Sequence, residues 1–272
     1  MIDLHCHILP GIDDGASDLE TALAMARLAV SDQITTIACT PHIYLGLYDN
    51  TVEGIQTAME RLRQALAAAD IELELVMGAD IQITPDLRKR LQAGEVPTLN
   101  SSRYFLFEPP HHVCPPRFSE LAFNLSAYGY VPIITHPERL TWIGDHYELF
   151  VELALKGVWM QVTAGSLSGR FGRRARYWGE RMLDEGLVHL LATDAHGLGR
   201  RPPLLSEGVM AAEKWVSAEE ARQLVEGRPQ AVLANQAPDS VPQPPALNGG
   251  YPAEAKPGGM GRRLSQWLGL GR

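Results

Sequence analysis

The sequence predicts an α/β protein built as a TIM-like (β/α)7 barrel. Seven apolar runs of strand length alternate with amphipathic helical segments across residues 1–236, and this alternation is typical of parallel strands joined by right-handed crossovers. Histidines and carboxylates directly follow nearly every run. In a parallel barrel the carboxyl ends of the strands converge on one mouth, where active sites are built. The strand pattern and the histidines and carboxylates that follow the strands therefore support the same architecture, a closed or nearly closed barrel.

Each of the seven runs is short and apolar, as buried parallel strands are. They lie near residues 2–5, 34–40, 73–78, 104–108, 131–135, 158–163 and 187–193. Start signals mark two of the intervening helices. Residues 17–20 (Ser-Asp-Leu-Glu) have capping-box form, and Thr84-Pro85 is typical of an N-cap followed by Pro at the first helical position. Further helices are expected over residues 52–69, 118–128, 147–156, 173–185 and 218–226.

Bulk properties exclude several classes of function. The 272 residues carry a formal charge of −8, which argues against nucleic acid as a partner because general nucleic-acid binding relies on basic surface. No apolar run approaches the length that spans a bilayer, and the first strand begins at residue 2, so no signal peptide is expected. The three cysteines, Cys6, Cys39 and Cys114, are scattered. This usage fits a reducing cytosol, so we expect a cytoplasmic protein.

The composition changes sharply after Gln236. Residues 237–272 are rich in Pro and Gly and predict a disordered, semi-extended tail, which leaves residues 1–236 as the folded domain. The final segment, residues 262–270, could form one or two basic amphipathic turns. We expect a frayed end there. The alternative is a weak contact with a membrane surface or a partner, which the short apolar face makes less favourable.

Nine side chains at the strand ends are candidate metal ligands. His5 and His7 share one face of the first strand because side chains alternate with period two, so both can reach one ion. A mixed set of imidazoles and carboxylates suits Mn²⁺, Zn²⁺ or Fe²⁺ better than Ca²⁺ or Mg²⁺ alone. The set exceeds what one or two ions need and could serve a trinuclear cluster. Its members are His5, His7, Asp14, His42, Asp80, Glu108, His136, Asp194 and His196.

Two arginines near these motifs indicate phosphate chemistry. Arg139 follows His136 by three residues, and Arg201 follows His196 by five. Guanidinium groups match phosphate oxygens, which favours phosphoryl transfer over amide hydrolysis. Divalent ions would polarise a phosphoryl oxygen and turn water into hydroxide near neutral pH, and their charge would let an acidic protein attract an anionic substrate. No cysteine is followed at the sixth position by Arg, which excludes a cysteine-nucleophile phosphatase.

The polar residues that follow the strands also belong to an ordered set of sequence motifs. These motifs are His5-Cys6-His7, Asp13-Asp14-Gly15, Thr40-Pro41-His42, Gly78-Ala79-Asp80-Ile81, His136-Pro137-Glu138-Arg139 and Asp194-Ala195-His196. Over roughly residues 1–236 this set resembles the polymerase-and-histidinol-phosphatase (PHP) superfamily. Within it, the chain is most similar to bacterial manganese-dependent tyrosine-protein phosphatases of capsule and exopolysaccharide loci. Residues 97–100, 165–169 and 201–203 are also similar to that branch.

This resemblance implies a distorted (β/α)7 barrel of the PHP fold with three divalent metal ions, Mn²⁺ first and Fe²⁺ or Zn²⁺ as alternatives. By matching position, one ion would be held by His5, His7, Asp80 and Asp194, a second by Asp80, Glu108 and His136, and a third by Asp14, His42 and His196. Arg139 and Arg201 would be the catalytic residues that grip the phosphate. The implied partner is the phosphotyrosine tail of an autophosphorylating tyrosine kinase that controls polysaccharide chain length or export.

Two positions depart from the family pattern. The bridging position usually carries Glu and here is Asp80, whose side chain is one methylene shorter and can alter the metal spacing or the affinity of one ion. Gly197 stands where many relatives have Asn, which leaves one supporting contact undefined. His111 and His112 follow Glu108 closely. Substrate contact and a solvated Pro-rich loop explain these two histidines equally well.

The sequence leaves two other functions open. One is a small-molecule phosphoesterase of the same superfamily, such as a histidinol-phosphate phosphatase. A closed pocket would favour that metabolite enzyme, whereas an open mouth would favour a protein tail. The other is a non-catalytic metal-binding scaffold that docks the kinase. The complete ligand set and both arginines weigh against the scaffold, while Asp80 gives it slight support.

Overall fold

A computed structural model describes residues 1–248 and shows strands and helices alternating along the chain. The strands are β1 (Ile2–Cys6), β2 (Thr36–Cys39), β3 (His42–Ile43), β4 (Glu74–Met77), β5 (Asp80–Gln82), β6 (Tyr104–Glu108), β7 (Val131–Thr135), β8 (Trp159–Thr163) and β9 (Leu190–Ala192). The α-helices are α1 (Leu19–Ser31), α2 (Val52–Ala68), α3 (Leu87–Ala93), α4 (Phe118–Ala127), α5 (Tyr147–Leu155), α6 (Ala164–Leu167), α7 (Gly172–Asp184), α8 (Ser206–Ala212), α9 (Ala218–Arg222) and α10 (Arg228–Leu233). None of these helices has the length and apolar character needed to cross a membrane.

The strands lie along seven paths around a curled parallel sheet, where a path is one strand position of the barrel and can hold two consecutive strands. The strand order is β1-β2-β4 in one part and β3-β5-β6-β7-β8-β9 in the other. Because β2 leads into β3 across Thr40-Pro41, and β4 into β5 across Gly78-Ala79, the two parts share their second and third paths. This arrangement confirms the predicted TIM-like α/β barrel.

Hydrogen bonds at the mouth bring the last strand path beside the first. The N–H of Asp194 donates to the carbonyl of His5 at 2.8 Å, and that of His7 donates to Ala195 at 2.9 Å. The β1 register shifts between Asp3 and Cys6. The barrel is therefore irregular at β1, in the region that carries two candidate ligands.

Alternation along the strands separates an apolar barrel interior from the polar mouth. On β6, Tyr104, Leu106 and Glu108 share one face; the first two lie in a buried apolar cluster with Leu4 and Trp159, and Glu108 follows at the carboxyl end. A second, larger cluster packs the outer strand faces against the helices. The interior cluster therefore forms a rigid base under the polar side chains at the strand ends.

Two helices begin later than the sequence indicates. The N-cap of α1 is Asp18, whose Oδ1 accepts from the N–H of Thr21 at 2.8 Å, whereas Ser17 donates its hydroxyl to Asp18. Adjacent Ser and Asp are both good caps, and the carboxylate is the one used. The helix expected after Thr84-Pro85 begins only at Leu87 and has no side-chain cap.

The chain past Gln236 differs from the expected tail in its first part. Residues 237–248 pack against the barrel: Val241 and Ala246 are buried, and the N–H of Ala246 donates to the carbonyl of Gly186 at 3.2 Å. Arg228 is fully buried and donates from Nε to the carbonyl of Pro242 at 2.7 Å. These contacts involve residues distant in sequence, which composition alone cannot reveal. The expected amphipathic turns at 262–270 lie outside the described residues.

Arg228→Ala should destabilise the domain because Arg228 also forms a two-pronged ion pair with Glu220, at 2.7 and 2.9 Å. Removing the fully buried partner of this pair leaves the partly buried Glu220 uncompensated, and we expect a loss of about 3 kcal/mol in the free energy of unfolding. Urea denaturation measures it. Arg176→Ala is the control, since its pair with Glu180 is more exposed and should contribute under about 1 kcal/mol. Equal losses in both variants would contradict this role for Arg228.

Candidate metal centre

All nine candidate ligands lie together at the carboxyl ends of the strands. His5 and His7 lie at the end of β1, Asp80 begins β5 and Glu108 ends β6. The remaining ligands lie in the segments that follow the strands, or at the start of β3 in the case of His42. They are Asp14, His42, His136, Asp194 and His196. Convergence of strand ends thus assembles side chains that are up to 191 positions apart in sequence (from His5 to His196).

Two of these ligands lie in strained backbone. His136 follows β7 with a φ of 37°, and Asp194 follows β9 with a φ of 50°. Non-glycine residues rarely adopt positive φ, and such strain is concentrated at functional sites. The chain therefore turns sharply after the strand at His136 and at Asp194, which are two of the candidate ligands.

The first group of candidate ligands consists of His5, His7, Asp80 and Asp194. The two Nε2 atoms are 3.2 Å apart. His5 Nε2 lies 3.5 Å from Asp80 Oδ2 and 3.3 Å from Asp194 Oδ1, and His7 Nε2 lies 3.5 Å from that same Asp194 oxygen. All four side chains are buried. Four donor atoms thus face one another across distances that a bound cation can span.

The second group is centred on Glu108. Its Oε1 lies 3.4 Å from His136 Nε2 and 3.8 Å from His111 Nε2. The other oxygen, Oε2, lies 3.4 Å from His42 Nδ1, which is also 3.4 Å from Asp80 Oδ2. Asp80 therefore borders both the first and the second groups of candidate ligands.

The third group lies closest to solvent. Asp14 Oδ1 is 3.5 Å from His42 Nε2 and 3.4 Å from His196 Nε2, and the ring of His7 lies 3.8 Å from that of His196. Ligand atoms of these four residues all lie within 4.8 Å of one another. Gly15 allows this packing, since a Cβ there would lie 2.1 Å from the carbonyl oxygen of His7.

Unpaired polar atoms indicate that the cluster suits bound cations. Within residues 1–248, the buried atoms of the cluster without a hydrogen-bond partner are Asp80 Oδ1 and Oδ2, Glu108 Oε2, His42 Nδ1, His136 Nδ1 and His196 Nε2. Such atoms are destabilising unless satisfied. Divalent cations satisfy carboxylate oxygens and imidazole nitrogens together, and this donor mixture suits Mn²⁺, Fe²⁺ or Zn²⁺.

Burial and the mutual charges of the cluster shift its pKa values in both directions. Burial raises the pKa of Asp80, and the nearby Glu108 carboxylate raises it further, while the imidazoles of His5 and His42 lower it. Although burial lowers it, the carboxylates of Asp80 and Asp194 raise the pKa of His5 to about 9. Burial, with the charge of Arg139, lowers the pKa of His136 to about 3, which keeps this imidazole neutral, the form that binds metals.

Two supporting side chains were not predicted as site residues. Asp13 Oδ2 lies 2.7 Å from Nδ1 of His7 and accepts from the N–H of His42 at 3.0 Å. Gln161 Oε1 lies 2.8 Å from Nδ1 of His5. Such partners fix the orientation of imidazole ligands. Asp13 could have been found as part of the Asp-Asp-Gly motif, but Gln161 lies inside a strand and carries no local signal.

Arg139 and Arg201 meet at a single carboxylate oxygen. Both guanidinium groups donate to Asp194 Oδ2, from Arg201 at 2.6 Å. Although burial raises it, these two charges hold the pKa of Asp194 well below its ordinary value. The guanidinium carbon of Arg139 also lies 4.4 Å from the centre of the Phe171 ring, a favourable cation–π geometry. Both guanidinium groups are therefore held next to the candidate metal ligands.

A cavity of about 320 Å³ exposes these groups to solvent. Its lining residues are Asp14, His42, Tyr44, Leu47, Tyr48, Glu108, His111, His136, Arg139 and Arg201. The side chain of Asp14 is 49% exposed, so the cavity has an open mouth. His111 lines it, whereas His112 is an exposed loop residue. Tyr44, Leu47 and Tyr48 line the cavity but were not predicted from the sequence, because they follow β3 without a motif that predicts a site.

Comparison with known proteins supports the architecture and the chemistry. Residues 1–234 match the model of the capsular polysaccharide synthesis family CpsB/CapC. The tyrosine-protein phosphatase YwqE of Bacillus subtilis is 36% identical over 87% of this chain and 92% of its own length. A putative tyrosine-protein phosphatase CapC of Staphylococcus aureus is 35% identical over 76% of this chain and 81% of its own.

Solved structures give the same picture. The chain superposes with a TM-score of 0.84 and 36% identity on a crystal structure from the pair YwqE of Bacillus subtilis and CpsB of Streptococcus pneumoniae, described as metal-dependent tyrosine phosphatases; the match covers 90% of this chain and 99% of that one. A probable 2-pyrone-4,6-dicarboxylic acid hydrolase of Acinetobacter baumannii shares 16% identity with a TM-score of 0.53, over 86% of this chain and 98% of that one. That likeness shows only a common fold.

Proposed function

Because the chain belongs to the CpsB/CapC family of capsular polysaccharide synthesis proteins, we propose that it is a metal-dependent protein-tyrosine phosphatase. The observation that carries this proposal is one open cavity in which imidazoles and carboxylates lie beside two guanidinium groups. Metal ligands and arginines together are the components that phosphoryl transfer requires. The relative at 36% identity is named a tyrosine-protein phosphatase, and the one at 35% a putative tyrosine-protein phosphatase.

The proposed ligand sets follow the three groups of side chains. One ion is assigned to His5, His7, Asp80 and Asp194, a second to Asp80, Glu108 and His136, and a third to Asp14, His42 and His196. We assign Mn²⁺ first, with Fe²⁺ or Zn²⁺ as alternatives. Bound divalent ions polarise a phosphoryl oxygen and supply hydroxide near neutral pH.

The protein's own groups have distinct roles in this proposal. Arg139 and Arg201 bind the phosphoryl oxygens and balance the charge that develops on them. Asp194 holds both guanidinium groups through one oxygen while its other oxygen faces His5 and His7. Asp13 orients His7. The substrate is therefore held between the two guanidinium groups on one side and the cluster of metal ligands on the other.

The open mouth favours a protein substrate over a metabolite. The proposed substrate is the phosphotyrosine tail of a tyrosine kinase that acts in polysaccharide synthesis, and the proposed location is the cytoplasm. Asp14, 49% exposed at the mouth, leaves space for an extended chain to approach. A histidinol-phosphate phosphatase would need a pocket that encloses its small substrate.

Parallel assays of the metal-reconstituted protein test the proposal. The substrates are a phosphotyrosine peptide, the same peptide with phosphoserine, and histidinol phosphate, with an EDTA-treated sample as the control. We expect hydrolysis of the phosphotyrosine peptide to be fastest and to disappear with EDTA. Faster turnover of histidinol phosphate would identify a metabolite phosphatase, and full activity after EDTA would contradict metal dependence. Metal binding without hydrolysis of any substrate would favour the scaffold.

A further inference from the structure

The hairpin of residues 44–48 forms one wall of the cavity and contributes no proposed ligand. Tyr44 and Tyr48 exchange main-chain hydrogen bonds of 3.0 and 2.8 Å. At the tip, Gly46 adopts a φ of 79°, which favours glycine, and its N–H donates to Asp49 Oδ1 at 2.8 Å. The backbone therefore holds this loop in one defined shape.

Both hairpin tyrosines pack on the imidazole of His42. The Tyr48 ring stacks on it with centroids 5.6 Å apart and an interplanar angle of 16°, while the Tyr44 ring meets it edge-on at 5.5 Å and 81°. Both are favourable aromatic geometries. Two phenol rings thus stand beside a proposed metal ligand at the cavity wall.

Leu47 extends this wall toward solvent. It lines the cavity and is nevertheless 67% exposed. Covering exposed apolar surface is favourable, so an apolar group of a ligand that enters the cavity gains from contact with Leu47. The name "hairpin wall" is used below for Tyr44, Leu47 and Tyr48.

At the cavity mouth, Arg139 and Arg201 follow different strand paths from the one that the hairpin wall follows. The wall follows β3, on the second strand path, whereas Arg139 follows β7 on the fifth and Arg201 follows β9 on the seventh. A phosphate ester whose phosphoryl group is held by the guanidinium groups can therefore extend its organic group across the cavity toward the hairpin wall.

We propose that the hairpin wall recognises the aromatic ring of the substrate and selects aryl over alkyl phosphate esters. The inference rests on the proposed phosphatase function of this cavity. A phosphoserine has one methylene between its backbone and the ester oxygen and cannot cover the wall, whereas a phenyl ring can. This binding selectivity adds to the intrinsic advantage of a phenolate, with a pKa of about 10, as a leaving group.

Leu47→Ala and its control Leu45→Ala test the inference. Leu45 lies in the same hairpin and is 58% exposed, but it is not among the residues that line the cavity. The probes are phenylphosphonate and methylphosphonate, measured by calorimetry on the metal-loaded protein, and hydrolysis of phenyl phosphate and ethyl phosphate. Leu47→Ala should weaken phenylphosphonate binding and phenyl phosphate kcat/KM about tenfold, with methylphosphonate binding unchanged. Leu45→Ala should match the wild type for every probe.

The results separate failure of the inference from failure of the proposed function. If Leu47→Ala weakens both phosphonates equally, or neither, ring recognition by the hairpin wall is wrong. If Leu45→Ala loses phenylphosphonate affinity as strongly as Leu47→Ala, the effect belongs to the hairpin as a whole and the assignment to the wall is wrong. A wild type that hydrolyses neither ester, yet prefers phenylphosphonate in a manner that depends on Leu47, would overturn the phosphatase proposal and support ring recognition.

Discussion

Asp80→Asn is expected to lower kcat/KM by about 10⁴-fold, which corresponds to about 5 kcal/mol of transition-state stabilisation. The side chain is fully buried and lies 3.5 Å from His5 Nε2 and 3.4 Å from His42 Nδ1, between two of the proposed ligand groups. A neutral amide cannot balance the charge of two neighbouring cations. At least one ion per chain should be lost, as measured by mass spectrometry of the metal content.

Thermal unfolding provides an independent measurement for Asp80. Without metal, burial and the Glu108 carboxylate raise the pKa of Asp80, so its negative charge is unfavourable there. Asp80→Asn removes that charge, and the metal-free variant should be at least as stable as the metal-free wild type. Added Mn²⁺ should raise the Tm of the wild type much more than that of the variant, since a ligand that binds only the folded state stabilises it.

Asp80→Glu is the matched control because it keeps a carboxylate at this position. The extra methylene must fit a closely packed site and costs about 1–3 kcal/mol of stability. Metal content and the Mn²⁺-dependent rise in Tm should nevertheless remain. If Asp80→Asn kept both its full metal content and its activity, Asp80 could not be a bridging ligand.

The strand paths could be predicted because buried parallel strands leave a simple mark in the sequence. The runs at 104–108 and 131–135 match β6 and β7 residue for residue. The interruption of the second path is also visible, since Pro41 has no N–H for the ladder. On the third path, a Cβ at Gly78 would lie 2.8 Å from Leu99 Cδ2, a constraint that only the packed structure reveals.

The ligand cluster was predictable for the same reason, whereas the cavity wall was not. His, Asp and Glu at strand ends are conspicuous, and the topology brings them together. The hairpin wall consists of ordinary Tyr and Leu residues in a loop, and no sequence motif marks the packing of its tyrosines on His42. Gln161 faces His5 from β8, a pairing set by the closure of the barrel rather than by any local pattern.

The packing of residues 237–248 depends on distant groups too. Pro-rich composition is typical of a linker, and nothing local to the segment distinguishes it from one. Its contacts are made by Arg228 and Gly186, which belong to the helical layer and to the turn after α7. A segment of this kind is ordered by its surroundings, so its sequence alone does not reveal which of its residues pack against the barrel.

Arg139→Ala should lower kcat/KM by about 10³-fold, about 4 kcal/mol, while leaving the metal content unchanged. Its guanidinium contacts Asp194 and Phe171 and lines the cavity, but it belongs to no ligand group. Asp194 keeps Arg201 as a partner in the variant, so the first ligand group should stay in place. Steady-state kinetics and metal analysis on the same preparation measure both quantities.

Two companion variants separate the roles of charge, geometry and metal binding at this position. Arg139→Lys keeps the positive charge but loses the planar fork that matches phosphate oxygens, and it should recover only part of the lost activity. His136→Ala, three residues earlier, removes the partner that lies 3.4 Å from Glu108 Oε1 and should lose both turnover and an ion. Because the two side chains follow the same strand, any general disturbance of the β7 end would affect them alike. Equal metal loss in Arg139→Ala and His136→Ala would therefore assign Arg139 to the structure of the centre, whereas loss confined to His136→Ala leaves Arg139 as a group that binds the phosphate together with Arg201.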